Sequence, residues 1–250
     1  MAGHSHWAGI KHKKALIDAK RGKLWSKLAK AIIVAAKMGG GDPDANLRLR
    51  YAIDDAKAVS MPKDNIQRAI KKGTGELDGG NLEEVVYEGY GASGVAVLCE
   101  VLTDNRNRTA PEIRKIFELG DGKLGSTGCV AWMFDSKGLF LVPGANLDEE
   151  RIMEIVLEAG ADDVRPDGTN FEITCDPSVY QDVSKALEAA GIKPEVSQIT
   201  RLPKSTVDLD ADSARKVLAL MERLDDHDDV QSVSSNFNIP DAVMKEIGVG

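Results

Sequence analysis

Lys20, Lys23, Lys27, Lys30 and Lys37 recur at helical spacing and are the residues of this 250-residue chain best suited to chemistry. On a helix turning by about 100° per residue they share one arc of about 100°. Such a row of point charges suits phosphates. Each phosphate that a lysine neutralises releases counterions, which gives affinity without reading base sequence. A tail ahead of the row adds His6, Lys11, Lys13 and Lys14, where a protonated imidazole would supplement the ammonium groups. Trp7 is placed to stack on an exposed base, whereas Trp25 lies on the opposite, apolar arc and reads as core. Arg106 and Arg108 precede a helix start that carries Thr109 and Glu112 at capping-box spacing, a second anion site. The same arginines would equally serve as a salt-bridged corner between domains.

Charge is segregated along the chain in the same sense. Residues 1–75 hold 16 Lys and Arg against six Asp, a net of +10, so the overall −8 leaves −18 for the remainder. The overall value argues against nucleic acid, but the split confines that argument to the residues beyond 75. Asymmetry of this kind points to a polyanion-binding module, although a solvated lysine-rich surface would give the same count.

Other chemistries find less support. Gly89-Tyr90-Gly91-Ala92-Ser93-Gly94 fits the dinucleotide glycine pattern, yet a strand rather than a helix should follow it, so a hairpin turn is expected. No P-loop pattern occurs. Asp208, Asp210 and Asp212 imitate the start of a calcium loop, but Ser213 and Ala219 stand where glycine and glutamate are required. Asp225, Asp226, His227, Asp228 and Asp229 form a charged run expected to stay solvated. The Ala2-Gly3-His4 start would suit square-planar copper or nickel, with nothing else in the chain to support a redox site. His227 is the one histidine beyond the tail, so no nucleophile and base can be paired. No enzyme activity, metal or cofactor is expected. Cys99, Cys129 and Cys175 read as reduced, mostly packed thiols. The longest apolar stretch in the basic segment, 31–36, is far too short to span a bilayer. Residues 1–10 lack the apolar core of a secretory signal, and a cytoplasmic protein is expected.

The elements that must position these groups follow from periodicity. A helix over 21–38 ends at Gly39-Gly40-Gly41, and Asp42 with Pro43 predicts a second helix to about residue 59. Pro62 opens a third, to Gly73. Beyond a glycine-rich hinge at 73–81 the period becomes strand-like. A hairpin over 85–89 and 94–102, a helix over 111–119 capped by Thr109, and a strand over 129–134 are expected. Strand 139–142, helix 148–158, strands near 164 and 171–174, helix 178–190 and strand 195–200 then give a ferredoxin-like βαββαβ order. Strand 206–209, helix 212–224 and strand 230–235 close the chain. The fold expected is α+β and multidomain: a basic tail with a three-helix domain over 1–75, a split ferredoxin-like α+β domain over 82–135 plus 204–250, and a ferredoxin-like α+β domain over 136–203 inserted in it.

Several long stretches also carry a resemblance. Met1-Ala2-Gly3-His4-Ser5-His6-Trp7, Lys20-Arg21-Gly22-Lys23, Gly40-Gly41-Asp42-Pro43-Asp44, Tyr87-Glu88-Gly89-Tyr90-Gly91 and Asp104-Asn105-Arg106-Asn107-Arg108-Thr109 resemble the signature motifs of the YebC/PmpR family over essentially the whole length. Residues 120–125 depart slightly from the family's glycine and asparagine version. The resemblance implies a helical N-terminal domain and two α+β domains around a cleft. It also implies a DNA-binding transcriptional regulator, or alternatively a translation factor bound to ribosomal RNA, like the mitochondrial translational activator of cytochrome c oxidase. The expected partner is DNA or rRNA, with a protein partner on the acidic α+β domains, no membrane, and a monomeric chain.

Overall fold

The computed structural model describes residues 21–78, 80–144 and 147–248. Helix α1 (Arg21–Gly39) packs Leu28, Ile32, Ala35 and Ala36 against α2 (Leu47–Ala58) and α3 (Lys63–Gly73), forming a core of their own with Leu49, Ile53, Ile66 and Ile70. Helix α2 starts later than the Asp42-Pro43 pair predicts. Asn46 caps it: the buried amide oxygen accepts from Leu49 N at 3.1 Å, while its nitrogen donates to the carbonyls of Ala35 and Gly40, both at 2.8 Å. One side chain therefore caps α2 and fixes the end of α1. Asp42 instead closes a turn by accepting from Asp44 N at 2.9 Å. At Gly73 the chain passes so close to α1 that an added Cβ would stand 2.4 Å from the Ile33 carbonyl oxygen.

After the helices come two antiparallel sheets. The first has the order β3 (Lys123–Leu124), β1 (Glu83–Tyr90), β2 (Ala96–Thr103), β9 (Val230–Ser235). Strands β1 and β2 form a hairpin with Tyr90 opposite Ala96, so the glycine pattern at 89–94 is a turn, as the sequence indicates. Helices α4 (Arg106–Leu119) and α7 (Ala211–Asp225) cover this sheet with Ile113, Phe117, Val217, Leu220 and Leu224. The second sheet has the order β5 (Ala161–Asp167), β6 (Asn170–Cys175), β4 (Phe134–Pro143), β7 (Val196–Pro203). Helices α5 (Glu149–Glu158) and α6 (Tyr180–Ala189) pack Ile152, Val156, Val183 and Leu187 onto it. Alternate residues of β4 serve opposite faces: Phe140 and Val142 meet these helices, while Leu139 and Leu141 meet Val196 and Leu202. The architecture is thus N-terminal helices followed by mixed α+β sheets.

Three local expectations change. Helix α4 begins at Arg106 and is capped by Asn105, whose side chain accepts from Arg108 N at 3.2 Å; Thr109 and Pro111 lie inside it. The strand expected over 129–134 does not form: residues 129–133 are outside any strand, and β4 starts only at Phe134. The buried Glu88 carboxylate takes the N–H groups of Gly128, Val130 and Ala131 at 2.6, 2.7 and 2.7 Å, so they cannot join a ladder, and the chain makes a tight turn at Ala131–Met133 before β4. Residues Val207–Asp208 (β8) pair in parallel with Phe237–Asn238 (β10) rather than with either larger sheet. A last helix, α8 (Asp241–Ile247), packs on α7 through Val243 and Met244. All three cysteines are free, and burial pushes the Cys175 thiol up to about 11.

Candidate nucleic-acid interface

The lysine face of α1 meets the acidic run that follows α7. Helix α7 ends at Asp225, where the last carbonyls of any helix lack partners within it and the macrodipole favours cations. Lys27 Nζ donates to the Asp225 carbonyl, Lys23 Nζ to that of Asp226, and Lys30 Nζ to that of Asp228 at 3.1 Å. Carboxylates add to this: Lys23 lies 3.2 Å from Asp228 and Lys27 4.0 Å from Asp225. Loop 225–229 is therefore docked on the lysines, in contrast to the solvated run its composition suggests. Val34, which interrupts the lysine arc in sequence, is buried.

Asp229 is the innermost member of the run, with its side chain only 4% exposed. Its Oδ1 receives Lys30 at 2.6 Å, and its Oδ2 receives Arg108 at 2.7 Å, Thr109 at 2.8 Å and Thr103 at 3.2 Å. Burial works to raise its pKa, but the hydrogen bonds from Lys30, Arg108 and Thr109 outweigh it and hold the carboxyl well below the usual carboxylate range. Arg108 also pairs with Asp104 at 3.0 Å, so of the two roles open to it in the sequence the structure displays the salt-bridged corner. His227 accepts from Asp229 N on Nδ1 at 3.1 Å, which leaves Nε2 to donate to Glu112 at 3.0 Å. A groove of about 1150 Å³ opens beside these contacts, lined by Lys23, Ser26, Lys30, Arg108, Lys115 and Asp228 among others.

The other expected contacts are dispersed. Arg106 is exposed and 3.8 Å from Glu83. Lys37 is exposed and donates to Asn81 Oδ1 at 2.9 Å. Trp25 packs on the helical core and donates to the Val59 carbonyl at 3.3 Å. His6, Lys11, Lys13, Lys14 and Lys20 lie outside the described residues, as does Trp7.

A second basic face went unrecognised in the sequence. Helix α3 turns Ile66, Ala69 and Ile70 inward and presents Lys63, Arg68, Lys71 and Lys72, with Gln67 between them, on its other side. None of the four cations forms an ion pair with another described residue. Four cations against the single Asp64 in an eleven-residue helix was the available signal; the longer lysine row of α1 masked it. Helices α2 and α3 are joined by the short turn 59–62, in which Ser60 takes a positive φ of 57°.

Among the described residues no cluster of His, Cys, Asp or Glu is arranged to hold a metal ion. None of the described helices is long and apolar enough to cross a membrane. Asp210, from the calcium-like run, caps α7 by accepting from Ser213 N at 2.8 Å.

Comparison with known proteins gives consistent matches along the chain. Residues 5–76 match the family described as "TACO1/YebC protein N-terminal domain", and residues 82–237 match "TACO1/YebC second and third domain". A protein of Rhodopirellula baltica named "Probable transcriptional regulatory protein" is 59% identical over 247 residues, spanning 98% of this chain and 100% of the relative. One of the same name from Natranaerobius thermophilus is 55% identical, spanning 98% and 99%. The crystal structure of a conserved hypothetical protein from Aquifex aeolicus superposes with a TM-score of 0.83 at 49% identity, covering 94% of this chain and 98% of that one.

Proposed function

The chain belongs to the TACO1/YebC family, and from that premise we propose that it is a non-enzymatic, DNA-binding regulator of transcription. The regulatory class comes from the relatives' shared name. The observation that carries DNA binding is the basic face of α3, where Lys63, Arg68 and Lys71 stand exposed, Lys72 is half-buried, and none of the four forms an ion pair among the described residues. With α2 before it and a short turn between, α3 can lie along a duplex in the manner of a second helix of a helix-turn-helix, Lys63, Lys71 and Lys72 toward phosphates and Gln67 and Arg68 toward base edges. In this reading His6, Lys11, Lys13, Lys14 and Lys20 extend the phosphate contacts through the tail. Lys23, Lys27, Lys30, Lys37, Arg106 and Arg108 add further phosphate contacts, dispersed over the surface rather than gathered on one face.

We read the chain as three domains, over 1–75, 82–135 plus 204–250, and 136–203. Pairing of β2 with β9 across the intervening sheet supports the nesting, and the order β5-β6-β4-β7 with two helices supports a ferredoxin-like insert. The protein acts in the cytoplasm as a monomer, with its acidic α+β domains offered to a protein partner.

Crosslinking in cells followed by sequencing of the recovered nucleic acid tests this reading. Enrichment of promoter DNA is expected. Recovery of ribosomal RNA with comigration on ribosomes would overturn it.

A further inference from the structure

Three lysines positioned for phosphates are held by oxygens of the chain itself. Lys23, Lys27 and Lys30 each donate to a backbone carbonyl of loop 225–229, and Asp225, Asp228 and Asp229 place carboxylates beside the same three ammonium groups. We propose that loop 225–229 is an intramolecular latch that occupies the lysine face of α1 in place of a polyanion, so that DNA reaches this face only when the loop is displaced. The latch rests on the DNA-binding reading above.

The geometry suits competition. From Lys23 to Lys30 α1 advances about 10 Å, which is the axial length of about three nucleotides of one strand. The loop therefore presents oxygens over the span that consecutive phosphates would cover. Its outermost contact is built to exchange: the Asp228 side chain that meets Lys23 is 81% exposed, and ion pairs in such surroundings are weak and screened by salt, whereas Lys27 and Asp225 lie deeper. Asp229 differs, since Thr103, Thr109 and Arg108 secure it to the body independently of α1. On displacement residues 225–228 would surrender Lys23 and Lys27, while Asp229 keeps that anchor and its bond to Lys30. Apparent affinity for DNA is then lowered by the fraction of molecules that are open, and by linkage bound DNA favours the open form to the same degree.

Two measurements on the full chain test the latch, both with a fluorescein-labelled 20-bp duplex DNA as probe. The first compares wild type with the triple variant Asp225→Asn, Asp226→Asn, Asp228→Asn and with a control that removes equal charge far from α1, Glu149→Gln, Glu150→Gln, Glu154→Gln. The loop variant should bind about tenfold more tightly than either of the others. The second uses the wild type alone, so it does not depend on a variant folding: carbodiimide should join Lys23 to Asp228 directly, and saturating duplex should suppress that crosslink severalfold. Equal binding by the loop variant and the control, or a Lys23–Asp228 crosslink that persists in the DNA complex, overturns the latch while leaving DNA binding standing. Absence of binding by all three proteins overturns the DNA-binding reading and the latch with it.

Discussion

Lys30 Nζ stands 2.6 Å from Asp229 Oδ1, joining two residues 199 positions apart. The same carboxylate holds Arg108 on its other oxygen, so α1, the start of α4 and the start of β9 converge on one buried charge. Removing that charge leaves two cations facing an uncharged group. Asp229→Asn should therefore destabilise the protein by about 2 kcal/mol near neutral pH, read from urea unfolding. The sign of the pH dependence follows from the depressed native pKa. The stabilisation is complete above the unfolded value of about 4 and is lost as pH falls through the lower native value. Wild type and variant curves should accordingly converge in strong acid; a constant difference down to about pH 2 would contradict the account.

Glu88 organises the segment that takes the place of an expected strand. Its oxygens accept three backbone N–H groups, and burial, which raises its pKa, is outweighed by those bonds. A glutamine can accept on one side only and turns its own N–H2 toward a donor. Glu88→Gln should cost about 1–3 kcal/mol, and exchange of the Gly128, Val130 and Ala131 amides should accelerate well before global unfolding. Trp132, exposed with its indole N–H on the Cys129 carbonyl at 3.2 Å, marks this turn for fluorescence.

Gly73 ends α3 against the backbone of α1. A methyl group there would meet the Ile33 carbonyl and the Ala36 Cβ, at 2.4 and 2.6 Å, neither of which can swing aside. Gly73→Ala should destabilise the helical core by about 1–3 kcal/mol despite the better helix propensity of alanine. Calorimetry should show a lowered transition; an unchanged or raised one would mean that α3 shifts freely on α1.

The α3 face has a signature in salt. Arg68→Ala with Lys71→Ala should weaken duplex binding and flatten the slope of log affinity against log salt by about one unit for each phosphate left without its cation. Both side chains are exposed and unburdened by ion pairs among the described residues, so thermal stability should stay within about 0.5 kcal/mol of wild type. Unaltered affinity and slope would remove α3 from the interface.

Local regularities were legible in the sequence to the extent that neighbours along the chain decide them. The apolar spacing of α1, the strand at Val230–Ser235, the βαββαβ succession and the +10 of residues 1–75 all follow from short-range patterns. Where an expectation failed, a distant group had taken the local partner. Asn46 capped α2 because the carbonyls of Ala35 and Gly40 held its amide, and residues 128–131 were kept from pairing as a strand by Glu88, some forty positions earlier.

The lysine row displays the division most clearly. Periodicity alone placed Lys23, Lys27 and Lys30 on one side of a helix. What that side faces was settled by the fold, which brings the C-terminal end of α7 and loop 225–229 against α1 across about two hundred residues of chain. A charge pattern in sequence specifies where cations lie on their own element; only tertiary packing decides whether they meet solvent, a ligand or the chain's own acids, because Coulomb attraction depends on separation in space and not along the chain.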